Sequence, residues 1–160
     1  MDDLRKQIVE TAKNMIGYLS MTSTKIRNEG LGEPWFDCSG FICGLLEKND
    51  IDLNGSRFVN ELFDNFGVLV HEGLHIPGDL VFFTRDGIYP AHIGIVISAT
   101  EYIHAPGYKN TKIKISKIQS YKFKPRSDKG TLIYNSAIIG FKRITLKSGR
   151  YHSFCLTILY

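Results

Sequence analysis

The 160-residue chain lacks the sequence features of a membrane or exported protein. It has no stretch of about 18 apolar residues, the length that a membrane-spanning helix needs. Residues 1–6, Met-Asp-Asp-Leu-Arg-Lys, begin with acids and are not followed by the apolar run of a secretory signal. We therefore expect no transmembrane segment, synthesis in the cytoplasm, and no use of the general export route.

Cysteine is also scarce, and its count argues against a disulfide framework. The three cysteines, Cys38, Cys43 and Cys155, make an odd number. Cys43 lies five residues after Cys38 on one predicted helix, so the two side chains point in different directions and Cys43 is expected in the core. There is no paired Cys or His spacing of the zinc-finger type and no His-Glu-x-x-His helix. No metal and no other cofactor is predicted.

The charge is mildly basic, with a formal net charge of +4 and a pI near 8.9. A nucleic-acid surface would combine clustered basic residues with aromatic platforms in a known motif, and no such motif is present. We expect no nucleic-acid partner, although a basic surface would suit other anionic polymers. The excess of basic residues lies in the later half of the chain, at Lys109, Lys112, Lys114, Lys117, Lys122, Lys124, Arg126 and Lys129.

Hydrophobic patterns predict helices first and strands afterwards. Helical spacing indicates helices over residues 4–19 and 38–47, and a third from a Ser56 cap to about residue 65, with Phe58 on its buried side. Residues 20–36 are predicted to be loop, and Asp79, at a turn, to have a local structural role. Strands are expected near 80–84, 92–98, 101–105, 112–117 and 138–145.

This order is typical of an α+β domain, with an antiparallel sheet on which the 38–47 helix packs. The length and the 43% of apolar residues suit one domain over 1–160, with its core at about 5–144 and a C-terminal extension over 145–160.

The segment Asp37-Cys38-Ser39-Gly40-Phe41 places a cysteine at the start of a predicted helix. Asp37 is predicted to cap that helix by accepting a hydrogen bond from an exposed backbone amide. A thiol in the first turn feels the positive end of the helix dipole, so we expect a lowered pKa for Cys38. Its backbone N–H is the natural donor to an oxyanion. A lone cysteine in an apolar helix is more often a core residue. The catalytic interpretation of Cys38 therefore depends on whether other residues can supply a base and a group that orients it.

Two histidines supply those partners. His92 and His104 lie 12 positions apart (104 − 92), a separation that two antiparallel strands joined by a turn at 98–101 can bring side by side. A nucleophile, a base and a group that orients the base form the arrangement used in nucleophilic catalysis. Cys38, His92 and His104 are the candidates for these three roles.

Four segments in this order resemble the NlpC-type (NlpC/p60) family of papain-like cysteine peptidases, which cut peptidoglycan stem peptides. They are DCSGF at 37–41, PGDLVFF at 77–83, AHIGIVI at 91–97 and YIHAP at 102–106. The resemblance implies a papain-like fold, with Cys38 as nucleophile, His92 as general base and His104 as the third polar residue. The family's Pro-Tyr-x-Trp-Gly-Gly stretch has no match at 24–30, and Tyr18 is the nearest upstream tyrosine.

The resemblance implies a cysteine amidase or endopeptidase acting on stem peptides, at the bond between D-Glu and the diamino acid. Without an export signal, such a protein suits an antibacterial effector that is exported by dedicated machinery, acts in the periplasm or cell wall, and has an immunity or inhibitor protein as partner. A phage lysis protein and a cytosolic recycling enzyme also fit.

Two other classes stay open. One is a thiol acyltransferase or deamidase, but such relatives commonly place the histidine before the cysteine, whereas Cys38 precedes His92 by 54 residues (92 − 38). The other is a non-catalytic wall-binding module, which the missing tyrosine motif favours.

Overall fold

The computed structural model describes residues 2–20, 36–107, 111–119 and 137–145. Helix α1 spans Asp2–Asn14, α2 spans Cys38–Glu47 and α3 spans Val59–Asn65. None of these helices is long and apolar enough to cross a membrane. Most of the predicted 20–36 loop and of the 145–160 extension lies outside the described residues.

In the part of the chain that the structure describes, a six-stranded antiparallel sheet follows the helices. Its strands are β2 (Val68–Val70), β3 (Leu80–Thr84), β4 (Pro90–Val96), β5 (Glu101–His104), β7 (Lys114–Lys117) and β8 (Ala137–Arg143). Their order across the sheet is β2-β8-β3-β4-β5-β7. A small second sheet pairs β1 (Leu19–Ser20) with β6 (Thr111–Lys112). The α+β prediction with an antiparallel sheet is confirmed, and the single strand predicted at 112–117 is divided between the two sheets.

Helix α1 ends five residues earlier than its apolar spacing predicts. Gly17 adopts a φ of 93°, a left-handed conformation that stops a helix, and its N–H donates to the carbonyl of Ile113 at 3.0 Å. Leu19 therefore belongs to β1 instead of the last helical turn. This pairing is long-range, so no local pattern reveals it.

Helix α2 packs on the sheet through the face that the sequence predicts. Phe41, Ile42, Leu45 and Leu46 are fully buried, in one core with strand residues that include Ile93. Each such side chain contributes about 1.5–3 kcal/mol by leaving water. This packing fixes the start of α2 relative to β4, which is what places the candidate site.

Helix α3 begins later than predicted, because the cap is not Ser56. Phe58 is the N-cap, and the carboxylate of Glu61 accepts the backbone N–H groups of Arg57 at 2.8 Å and of Phe58 at 3.1 Å. A glutamate at this position satisfies amides that the helix leaves free. Phe58 is consequently 58% exposed, so its predicted burial is wrong, whereas Leu62 is buried.

Asp79 connects three elements at the start of β3. Its carboxylate accepts the backbone N–H of Ile76 at 2.9 Å, which confirms a local role. It also pairs with Arg5 of α1 at 3.0 Å and with Arg143 of β8 at 2.9 and 3.1 Å, and is itself fully buried. Because both oxygens are bonded, this charge is compensated.

Candidate active site

The start of α2 has the capped geometry that the sequence predicts. Asp37 Oδ1 accepts the backbone N–H of Gly40 at 2.6 Å and the hydroxyl of Ser39 at 3.2 Å. A Cβ at position 40 would lie 3.0 Å from that oxygen, so glycine leaves room for the cap. The cap begins the helix at Cys38 and thereby holds the thiol in its first turn.

The thiol of Cys38 lies against β4. The backbone N–H of Ile93 is close enough to the sulfur to lower the pKa of the thiol, and Ile93 directly follows His92 in that strand. The structure therefore brings Cys38 to the residue next to the candidate base. Cys43, on the same helix, is buried instead, and its thiol lies 3.8 Å from the carbonyl oxygens of Ser56 and Arg57.

The two histidines lie side by side on neighbouring strands. The register of β4 and β5 pairs Ile95 with Ile103 and Val96 with Tyr102. Beyond these pairs, His92 Nε2 and His104 Nδ1 are 2.7 Å apart, with their rings nearly perpendicular at 84°. The predicted pairing across a short turn is confirmed. This contact engages Nε2 of His92, so Nδ1 is the ring nitrogen that His104 does not contact.

A fourth polar group, which the sequence analysis missed, continues the chain of contacts. Ser116 of β7 has its Oγ 2.9 Å from His104 Nε2. Both ring nitrogens of His104 therefore have a partner. No motif marks Ser116, since it is a single serine in the lysine-rich strand Lys114–Lys117. Only its place on the strand next to β5, on the same face as His104, would have indicated it.

Aromatic side chains support the two imidazoles. The Tyr102 ring lies 4.7 Å from His104 and 5.0 Å from Phe83, between ring centroids, and Phe83 lies 6.0 Å from His92. Gly94 allows this arrangement, because a Cβ there would overlap Tyr102 Cδ2 and lie 2.8 Å from the Ile103 carbonyl oxygen. Position 94 is thus coupled through Tyr102 to the orientation of His104.

Burial keeps the thiol and both imidazoles uncharged. It raises the pKa of Cys38 to about 11, and the nearby negative charge of Asp37 adds to that effect. It lowers the pKa of His92 to about 4, with the Arg85 charge assisting. Burial, His92 and Lys114 together lower the pKa of His104 to about 3. The expectation that the helix dipole lowers the Cys38 pKa is therefore wrong, because desolvation opposes the dipole and is the larger effect.

Other predicted features lie elsewhere or outside the described residues. Tyr18 follows α1, is 46% exposed, and its carbonyl accepts the N–H of Ile113 at 2.8 Å. Residues 24–30 and Cys155 lie outside the described part of the chain. Within the described part, no group of three His, Cys, Asp or Glu residues could hold a metal ion.

Comparison with known proteins identifies the family. The model of the NlpC/P60 family matches residues 24–131, which is more than half of the chain. The chain belongs to the NlpC/P60 family. It is 29% identical over 120 residues to "Probable peptidoglycan endopeptidase LytE" of Bacillus subtilis (strain 168), covering 75% of this chain and 32% of that protein. The chain thus spans about a third of the length of this curated relative.

Solved structures show the same fold. NlpC1 from Trichomonas vaginalis superposes with a TM-score of 0.62 at 19% identity, over 88% of this chain and 44% of that one. The NlpC/p60 domain of peptidoglycan hydrolase SagA gives a TM-score of 0.54 at 25% identity, over 71% of this chain and 89% of that domain. The papain-like α+β fold predicted from the four motifs is confirmed.

Proposed function

We propose that this chain is a cysteine amidase or endopeptidase that hydrolyses peptidoglycan stem peptides. The observation that carries the proposal is the placement of Cys38, at a capped helix start, against the β4 residue next to His92, whose ring is bonded to His104. The names of LytE and SagA, a peptidoglycan endopeptidase and a peptidoglycan hydrolase, support the substrate class.

The reaction follows from the uncharged resting groups. Nδ1 of His92 takes the thiol proton as Cys38 Sγ attacks the amide carbonyl, so thiolate and imidazolium form during the attack. The imidazolium then protonates the leaving amine, and an acyl group stays on Cys38. Water, deprotonated by His92, releases the acyl group as a carboxylate and restores the thiol. The backbone N–H of Cys38, at the helix start, is the proposed oxyanion donor.

The proposed scissile bond joins D-Glu to the diamino acid, as the resemblance to the NlpC-type peptidases implies. The test is incubation of the purified protein with intact peptidoglycan and with pre-digested muropeptides, with products read by mass spectrometry. Hydrolysis should add one water across one amide bond, and the Cys38→Ala variant should give no product. Transfer of the acyl group to an added amine would instead indicate an acyltransferase, and binding without any product would indicate a non-catalytic module.

We also propose that the protein acts in the periplasm or cell wall after non-classical export, as an antibacterial effector with an immunity protein in the producer. The support is the substrate class in the names of LytE and SagA, since peptidoglycan lies outside the cytoplasm. Expressed in a bacterial cytoplasm, the protein should be tolerated, whereas an added signal peptide should cause lysis that depends on Cys38. Cleavage of free muropeptides without any lysis would favour a recycling enzyme.

A further inference from the structure

The contact between the two histidines can form in two ways, and only one suits a base. In the first, His92 Nε2 carries the proton and donates it to His104 Nδ1. Nδ1 of His92 is then unprotonated, and its lone pair can accept a proton. Alternatively, His104 Nδ1 donates to His92 Nε2, and the proton of His92 then sits on Nδ1. In that second tautomer His92 cannot take the thiol proton.

The distance of 2.7 Å is compatible with both arrangements, so it does not identify the tautomer. The second hydrogen bond of His104, at Nε2, bears on which tautomer forms. In the productive arrangement, His104 carries its own proton on Nε2 and needs an acceptor there. Ser116 Oγ lies at 2.9 Å from that nitrogen. The hydroxyl oxygen has two lone pairs that can accept this N–H, and the hydroxyl would donate instead only if Nε2 of His104 carried no proton.

The thiol end of the site favours the same arrangement. The thiol of Cys38 is buried and keeps its proton, and the backbone N–H of Ile93 lies near its sulfur. A neutral thiol can give its proton only to a ring nitrogen that carries none, which in the productive arrangement is Nδ1 of His92. In that arrangement the proton on His92 Nε2 also meets His104 Nδ1, and the proton on His104 Nε2 meets Ser116 Oγ.

We propose that Ser116 is a positioning residue of this site, whose hydroxyl accepts the Nε2–H of His104 and thereby holds His92 in the tautomer that can act as base. The role rests on the proposed cysteine hydrolase function, and Ser116 acts in it through His104, which its hydroxyl contacts. Because Ser116 lies on β7, which pairs with β5, this strand would help to position the base.

The test compares three variants of one position. Ser116→Ala removes the acceptor, whereas Ser116→Thr and Ser116→Val have nearly the same shape and differ in the hydroxyl, and both suit a strand. Ser116→Ala and Ser116→Val should lower kcat about tenfold, the value of roughly one net hydrogen bond. KM should not change, because the proposed effect of Ser116 is on the base, through His104, and not on substrate binding. Ser116→Thr should restore most of kcat.

Nitrogen NMR of the labelled imidazoles gives a readout that needs no substrate. In the wild-type protein, Nε2 of His104 and Nε2 of His92 should carry the protons. In Ser116→Val, forms with protonated Nδ1 should gain population, and Ser116→Thr should show the wild-type pattern. Ser98→Ala is the matched control, because that half-buried serine accepts the Thr100 N–H in the β4–β5 turn, away from the histidines.

The outcomes separate this proposal from the proposed function. If the wild-type protein cleaves no muropeptide but the tautomers respond to the hydroxyl, the hydrolase assignment fails and the role of Ser116 in setting the tautomer stands. Identical tautomers in the wild-type, Val and Thr proteins would overturn the proposal, whatever the activity. So would equal losses of kcat in Val and Thr, which would indicate a packing role.

Discussion

Two polar clusters lie against the six-stranded sheet, and they differ in charge. Beside the start of β3, the carboxylate of Asp79 is held between the guanidinium groups of Arg5 and Arg143. At the end of the regular β4–β5 pairing, a thiol and two imidazoles are kept neutral by burial. The first cluster pairs one buried carboxylate with two cations, whereas the second holds proton donors and acceptors next to each other without charge.

This difference separates stability from reactivity. An ion pair with every oxygen bonded has no group left over for chemistry, and breaking it exposes a buried charge. A neutral thiol next to a neutral base stores no charge at rest and can move one proton when a substrate arrives. Substitutions in the two clusters should therefore affect different measurements, and the predictions below test that separation.

The largest effect is expected at the nucleophile. Cys38→Ala should lower turnover at least about 10⁴-fold, because the residues of such a site act as a unit, and His92→Ala should lower it nearly as far. The melting temperature should stay close to that of the wild type, since alanine is favourable in a helix. Cys43→Ala, on the same helix, is the control and should retain turnover. An active Cys38→Ala variant would show that Cys38 is not the nucleophile.

A smaller loss is expected at the third residue. His104→Ala should reduce kcat roughly 10²-fold, within the usual contribution of a positioned base. His104→Asn should be milder, because its amide oxygen can still accept the Nε2–H of His92. Steady-state kinetics of both variants measure the two losses of kcat. Complete and equal loss in the two would mean that His104 does more than orient His92.

Gly94 has no side chain, but it leaves the space that the Tyr102 ring occupies beside His104. Gly94→Ala should lower kcat roughly tenfold, because a new Cβ displaces the Tyr102 ring that packs on His104, and small displacements at a reacting group are costly. Gly140→Ala is the matched strand control, since its nearest neighbour would lie 3.4 Å away, at an ordinary contact distance. Equal kcat values for the two variants would contradict the coupling through Tyr102.

The least effect on catalysis, and the clearest on stability, is expected at the charged cluster. Asp79→Asn should lower the free energy of unfolding by roughly 3 kcal/mol, because it leaves two guanidinium groups without their carboxylate. The kcat of the folded variant should be unchanged. Glu10→Gln, which breaks the exposed pair with Lys13, should cost less than about 0.5 kcal/mol. Denaturant titration beside kinetics measures both quantities, and a large loss of kcat in Asp79→Asn would show that the clusters are coupled.

The sequence predicts well what depends on local pattern. The apolar face of α2, its Asp37 cap and the strand pair that joins His92 to His104 all follow from residue spacing within about a dozen positions. The order of four motifs then identified the family. These features agree with the structure because local propensity and tertiary packing favour the same arrangement there.

What the sequence missed depends on distant contacts. Ser116 is recognisable only once β7 is known to lie beside β5, and the early end of α1 results from pairing with Ile113. The pKa of Cys38 was predicted in the wrong direction, because a helix dipole can be read from sequence, whereas the burial that opposes it cannot.

The pH dependence of kcat/KM tests the central claim, an uncharged thiol and imidazole at rest, most directly. The free enzyme is active while His92 can accept a proton, so activity should fall only as the pH drops through the pKa of His92, about 4. The profile should therefore stay flat from neutral pH down to about 5, provided that the protein stays folded, which circular dichroism checks at each pH. A loss of activity centred near pH 6.5, the ordinary pKa of histidine, would contradict the account.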